Sequence, residues 1–183
     1  EELQVTAWLP GLVVEVTSRG AVIEGAGIEL AGAWGTGQET AGTLVLGDPP
    51  VQGKALPARG AGDAPRAANR LIVVHDGCVT RAQLEAWTGV EVGIAGVIAA
   101  SARLSELLDW APPYPLVLLE GFGTRRFPPG VRTALAAHAG GWTLLDGTTE
   151  IRVGVRRPRI ILVVGPPGAK RPSPTDSATP DQG

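Results

Sequence analysis

Two glycine-bounded apolar runs constrain this chain more than any other feature. Gly93-Ile94-Ala95-Gly96-Val97-Ile98-Ala99-Ala100-Ser101 and Pro115-Leu116-Val117-Leu118-Leu119-Glu120-Gly121-Phe122-Gly123 are short, nearly unbroken, and stop at small or polar residues. A half-solvated strand alternates apolar and polar side chains, whereas a strand covered on both faces reads as a continuous run of this length. Leu71-Ile72-Val73-Val74 is a third such run, ending at His75-Asp76-Gly77. Helical patterns lie between them. Thr80 and Gln83 form a capping box ahead of Leu84 and Trp87, and Gly89 ends that helix. Ser101 is placed to cap a second helix carrying Leu104, Leu107 and Leu108, which Pro112-Pro113 stops. A third helix spans Pro129 to His138 with Val131, Ala134 and Leu135 inward. Strand–helix alternation with such short crossovers predicts a mostly parallel α/β sheet over residues 70–164. Strands at 142–145, 151–155 and 160–164 complete it, and Asp146-Gly147 predicts a hairpin.

Residues 1–47 read differently. Short bursts such as Leu12–Val16, Ala21–Glu24 and Ile28–Ala31 are separated by tight turns at Pro10-Gly11, Ser18-Arg19-Gly20 and Gly25-Ala26-Gly27. This predicts a small antiparallel β-barrel or sandwich, with Val14, Val16, Val22 and Leu30 inside and Trp8 and Trp34 at its ends. The expected fold class is therefore α/β with an N-terminal all-β segment. Residues 48–69 are a Pro/Gly/Ala-rich linker, and 165–183 a disordered tail of Pro, Ser, Thr, Asp and Gly.

With 183 residues, 44% of them hydrophobic, the chain can build one ordinary domain or two small ones. A net charge of −2 supplies no bulk attraction to nucleic acid or an anionic membrane. Cys78 is the only cysteine, which excludes an internal disulfide and a Cys-rich zinc site. No apolar stretch approaches the ~20 residues of a transmembrane helix. Glu1-Glu2-Leu3-Gln4 has no basic-then-apolar pattern of a signal peptide. The absence of methionine points to a processed product or a piece of a longer protein, and the cytoplasm is the expected location.

The ends of the apolar runs hold the candidate chemistry, because open α/β sheets bind ligands there. Glu120, Gly121, Gly123, Arg125, Arg126 and Ser101 would suit a carboxylate- or phosphate-bearing ligand. The simpler alternative is a tight glycine turn beside solvated arginines. Arg126 stands where a dinucleotide fingerprint requires its third glycine, so a Rossmann site is not expected. Glu120 with His75 or Asp76 are the candidate catalytic groups. His75, Asp76 and Cys78 lack further ligands nearby for a metal, and Ser101 lacks a nucleophile elbow. Gly165-Pro166-Pro167-Gly168-Ala169-Lys170 begins like a phosphate loop, but Arg171-Pro172 replaces the residues that loop needs. No cofactor and no metal are expected. Arg152, Arg156, Arg157 and Arg159 form a basic cluster without stacking aromatics, a minor alternative for RNA contact.

Pro10-Gly11-x-Val13-x-Glu15-Val16, Arg19-Gly20-Ala21-Val22-Ile23-Glu24-Gly25 and Trp34-Gly35-x-Gly37-x-Glu39 resemble the β-rich segment of an uncharacterised bacterial multi-module family. The resemblance continues through Gly96-Val97-Ile98 and Glu120–Gly123 to Gly154-Val155-x-x-Pro158, covering most of 8–162. Some relatives end in a KOW-like barrel, which the Pro-rich tail replaces here. The first segment is also similar to a lipoyl-type barrel-sandwich, but the hairpin lysine is missing and Lys54 lies in the linker. The second is similar to swivelling or protease-associated domains, which bind partners. The resemblance implies a non-catalytic, multi-module protein, and with the strand-end residues it gives the expected function: a non-enzymatic interaction or scaffold module that presents loops 75–80, 101–104 and 120–127 to a protein partner, other modules of a longer assembly, or an anionic ligand. A small hydrolase or transferase is the alternative.

Overall fold

The computed structural model describes residues 12–17, 20–49, 70–88, 93–151 and 155–165. Local sequence accounts for most element boundaries. A hairpin of β1 (Leu12–Thr17) and β2 (Gly20–Glu24) comes first, followed by β3 (Ala26–Ala31), β4 (Trp34–Thr36) and β5 (Glu39–Leu46). Then come β6 (Leu71–Val79), α1 (Arg81–Thr88), β7 (Ile94–Ala102), the single-turn α2 (Leu104–Leu107) and β8 (Leu116–Leu118). The chain continues through α3 (Pro129–Ala137), β9 (Trp142–Asp146), β10 (Glu150–Ile151), β11 (Val155–Arg156) and β12 (Arg159–Gly165).

Eight of these strands form one mixed sheet in the order β3-β12-β9-β5-β6-β7-β8-β4. Only β5, β6, β7 and β8 run parallel; β9, β12, β3 and β4 join antiparallel. This overturns the expected N-terminal barrel followed by a parallel α/β domain. Strands from the first 47 residues enter the common sheet at both margins and in its middle, because β5 pairs with β6 and with β9. Val14 and Val16, expected inside the barrel, are 50% and 76% exposed on the separate β1–β2 hairpin. Leu30 does pack against the core. Trp8, the 50–69 part of the linker and the 166–183 part of the tail lie outside the described residues.

The strand order has a geometric consequence. β3 and β4 occupy opposite margins, yet only Gly32 and Ala33 separate them. Residues 31 and 34 can be at most about 11 Å apart, whereas the margins of a flat eight-stranded sheet would stand roughly 33 Å apart. The sheet must therefore roll until its margins meet. Backbone hydrogen bonds mark the seam: Gly32 N–H donates to Pro158 (2.7 Å) on one side, and Ala33 N–H to Leu118 (2.9 Å) on the other. A Cβ at Gly35 would stand 2.7 Å from the Gly147 carbonyl and 2.8 Å from the Pro158 ring, so the seam needs glycine there.

Rolling gives the sheet an inner and an outer face. The inner face buries Leu44, Ile72, Ile98, Val117, Leu145 and Ile160, closed by Phe127 and Leu135. On the outer face Leu84 and Trp87 of α1 and Leu107 of α2 cover Val73, Val97, Leu116 and Leu118. The α1 capping box forms as expected: Thr80 N–H donates to Gln83 Oε1 (3.0 Å) and Gln83 N–H to Thr80 Oγ1 (3.3 Å). Three local expectations fail. Leu104 and Leu108 are exposed, because α2 makes one turn and only Leu107 reaches the core. Ser101 is the penultimate residue of β7, and the residue before α2 is Arg103. Asp146-Gly147 does not join a hairpin of neighbours: β9 pairs with β12, while β10 and β11 pair with each other in the intervening excursion. Asp146 Oδ1 instead accepts from Thr148 N–H (3.0 Å), while its Oδ2 lies 3.6 Å from Arg159 Nε. Among the described residues no helix is long and apolar enough to cross a membrane.

Candidate functional site

Because β6, β7 and β8 are adjacent and parallel, His75, Asp76, Ser101 and Glu120 come to the same end of the sheet. Cys78 stands beside Ser101 in register, and Ala102 bridges to Phe122. In an open α/β sheet this end would be a crevice. Here the chain itself runs across it.

The segment after β8 crosses the strand ends one by one. It starts paired to β7, where Glu120 N–H donates to the Ala100 carbonyl (2.8 Å) and Gly123 N–H to the Ala102 carbonyl (2.9 Å). Gly121 and Gly123 make the turn at φ +74° and +131°, conformations that disfavour any side chain. Above β7, Ser101 Oγ accepts from Arg125 N–H (2.8 Å) and donates to the Arg125 carbonyl (2.9 Å). Above β6, Asp76 Oδ1 accepts from Phe127 N–H (3.0 Å), and the Phe127 ring enters the inner core. Asp76 Oδ2 is 3.0 Å from Arg132 Nε at the start of α3. Past α3, Gly140 N–H donates to the Leu44 carbonyl of β5 (2.9 Å). Residues 120–128 are thus a strap across the ends of β8, β7 and β6.

This placement gives several candidate residues a structural role. Ser101, fully buried, holds both backbone polar groups of Arg125. Asp76 holds Phe127 and Arg132. The Gly123 amide, a candidate anion donor, is spent on strand pairing. His75 turns its ring toward Trp87, centroids 6.0 Å apart. Glu120 lies 4.0 Å from Arg125 Nη1, a surface pair of little energetic weight. His75 is not brought into hydrogen-bonding contact with Asp76 or Glu120 by any described interaction. The second histidine, His138, is 2.9 Å through Nε2 from the Trp142 carbonyl, closing the α3–β9 turn. Among the described residues, no three His, Cys, Asp or Glu side chains gather where a metal ion could be held.

What the strap leaves outside is specific. Thr124, Arg125 and Arg126 are exposed, with the Arg125 side chain 67% exposed. Phe122 is part-exposed and rests against Trp34, centroids 5.2 Å apart. Exposed Arg103 and Leu104 follow Ala102, whose carbonyl and bridge hold the strap. Both lie in the 101–104 loop that the sequence put forward for presentation, although neither was named there as a ligand-binding residue. Of the basic cluster, Arg159 is drawn to buried Asp146, Arg157 is exposed, and Arg152 is outside the described residues.

No protein-family model matches the chain, and neither a curated protein nor a solved structure does.

Proposed function

We propose that the protein is a non-enzymatic interaction module whose strap surface engages an acidic segment of a protein partner. The observation that carries this reading is the use of Ser101 and Asp76. A buried hydroxyl and a carboxylate are spent on fixing a loop whose own Arg125 and Arg126 point to solvent. A polar group aimed at chemistry would face an accessible space, and these face the strap's backbone. A fixed loop pays less ordering entropy on binding than a floppy one. Exposed arginines on a segment that also carries the part-exposed Phe122 match the composition of interface anchors, and guanidinium groups pair bidentately with carboxylates.

The test is a calorimetric titration with a glutamate-rich decapeptide carrying one leucine, run at two salt concentrations. Binding that weakens as salt rises, and falls at least ~10-fold in Arg125→Glu/Arg126→Glu, is the expected result. Binding unaltered by the charge reversal, or turnover of small ester or phosphate substrates lost in Glu120→Gln, would contradict it.

A further inference from the structure

The strap's arginines border an apolar strip on the outer side of the sheet. Leu104 and Leu108 are 50% and 66% exposed. Leu108 continues α2 in helical conformation as its C-cap, so the two leucines stand one turn apart on a single helix face. Only Leu107 of that turn enters the core, which leaves this face to solvent. Strand pairing ties the strip to the strap. Ala102 bridges to part-exposed Phe122, and Leu104 is two residues further along the chain. The α-carbons of Leu104 and Phe122 are therefore at most roughly 12 Å apart. Exposed Arg103 lies between Ala102 and Leu104, and the Arg125 backbone is held by Ser101, the residue before Ala102.

Charge changes sign along the strip. Arg103, Arg125 and Arg126 gather at the strap end, and among the described residues only Arg125 of the three has a carboxylate nearby, Glu120 at 4.0 Å. Midway, Glu106 directs its carboxylate to the Arg81 N–H (3.2 Å), and exposed Asp109 stands at the far end. A partner's carboxylate is thus attracted at the strap and repelled beyond Leu108. Apolar partner atoms gain most over the leucines, where covering removes apolar surface from water on both sides.

We propose that this strip is the apolar half of the strap's binding site, and that the partner segment carries an acidic block next to an apolar block. The carboxylates pair with Arg103, Arg125 and Arg126, and the apolar side chains cover Phe122, Leu104 and Leu108. The inference rests on the reading of the strap as a site for an acidic segment, and adds the order of residues which that segment must have. Alternating acidic and apolar residues would set carboxylates over the leucines, desolvating charge without a partner.

The experiment is a calorimetric titration of the full chain with two peptides of identical glutamate, leucine and serine content. One holds the glutamates and leucines in separate blocks, the other alternates them, and a leucine-free glutamate peptide is the third probe. The block peptide is expected to bind at least ~10-fold more tightly than the alternating one. Leu104→Ser/Leu108→Ser should abolish that difference and leave the leucine-free peptide unchanged; both positions are exposed, so the fold should tolerate the change. Equal affinity for the two leucine peptides, or a preference that survives in the leucine variant, would overturn this inference and leave the strap reading standing. No binding of any of the three peptides would overturn both. Capture by phosphatidylserine vesicles, lost in the leucine variant, would assign the strip to a membrane surface and overturn the inference as well.

Discussion

Asp76 and Ser101 sit at the ends of buried strands, where the sequence put a candidate catalytic carboxylate and a candidate ligand-binding hydroxyl, and each is instead a clamp on the strap. That outcome was not legible in the sequence. A serine after an apolar run can cap a helix, attack a carbonyl or hold a neighbouring chain, and its partner Arg125 is 24 residues away. Tyr114 offers a cleaner readout at the same scale. It is the single tyrosine, its hydroxyl donates to the Leu84 carbonyl at 2.6 Å, and burial pushes its phenol well above the ordinary tyrosine range. A raised folded-state value means the folded form holds this proton more tightly. The contribution is complete below pH ~10 and is lost as pH climbs above it. Absorbance at 295 nm should therefore show no tyrosinate step near pH 10, only one coincident with alkaline unfolding. A free step at pH ~10 in the folded protein would contradict this placement.

Elements governed by neighbours in sequence are legible in it, and those governed by distant pairing are not. The α1 capping box and the inward faces of α1 and α3 follow from spacing over a few residues. Thr80→Ala should cost about 1 kcal/mol in chemical denaturation, with an unchanged denaturant slope. The three buried runs also became strands β6, β7 and β8. The second helix shortened because Pro112-Pro113 bounds where a helix ends but not how many turns precede it. Asp146-Gly147 misled for a related reason. The dipeptide favours a turn, and the turn formed locally through Asp146 and Thr148, but the strand after it pairs elsewhere.

The rolled sheet belongs to the whole molecule. Its seam depends on one short stretch, Ala31 to Trp34, touching strands more than 80 residues further on. Alternation in residues 12–46 correctly indicated strands, but alternation carries no information about which strand is the neighbour, and a local barrel was the simplest closure. Gly35 tests the seam. Gly35→Val would push a side chain into the Gly147 carbonyl and the Pro158 ring, and should cost at least ~2 kcal/mol with a lowered melting temperature. A neutral effect would mean the margins do not meet there.

Over the strand ends, closure by the strap converts a potential crevice into a surface, and the proposed binding role rests on that surface being fixed before any partner arrives. Hydrogen exchange at the Arg125 and Phe127 amides measures this directly. With Ser101 and Asp76 as their acceptors, both amides should exchange at least ~100-fold more slowly than an open peptide, and Ser101→Ala should release Arg125 first. Exchange of both amides at open-peptide rates in the unaltered protein would contradict the strap, and the proposed function with it.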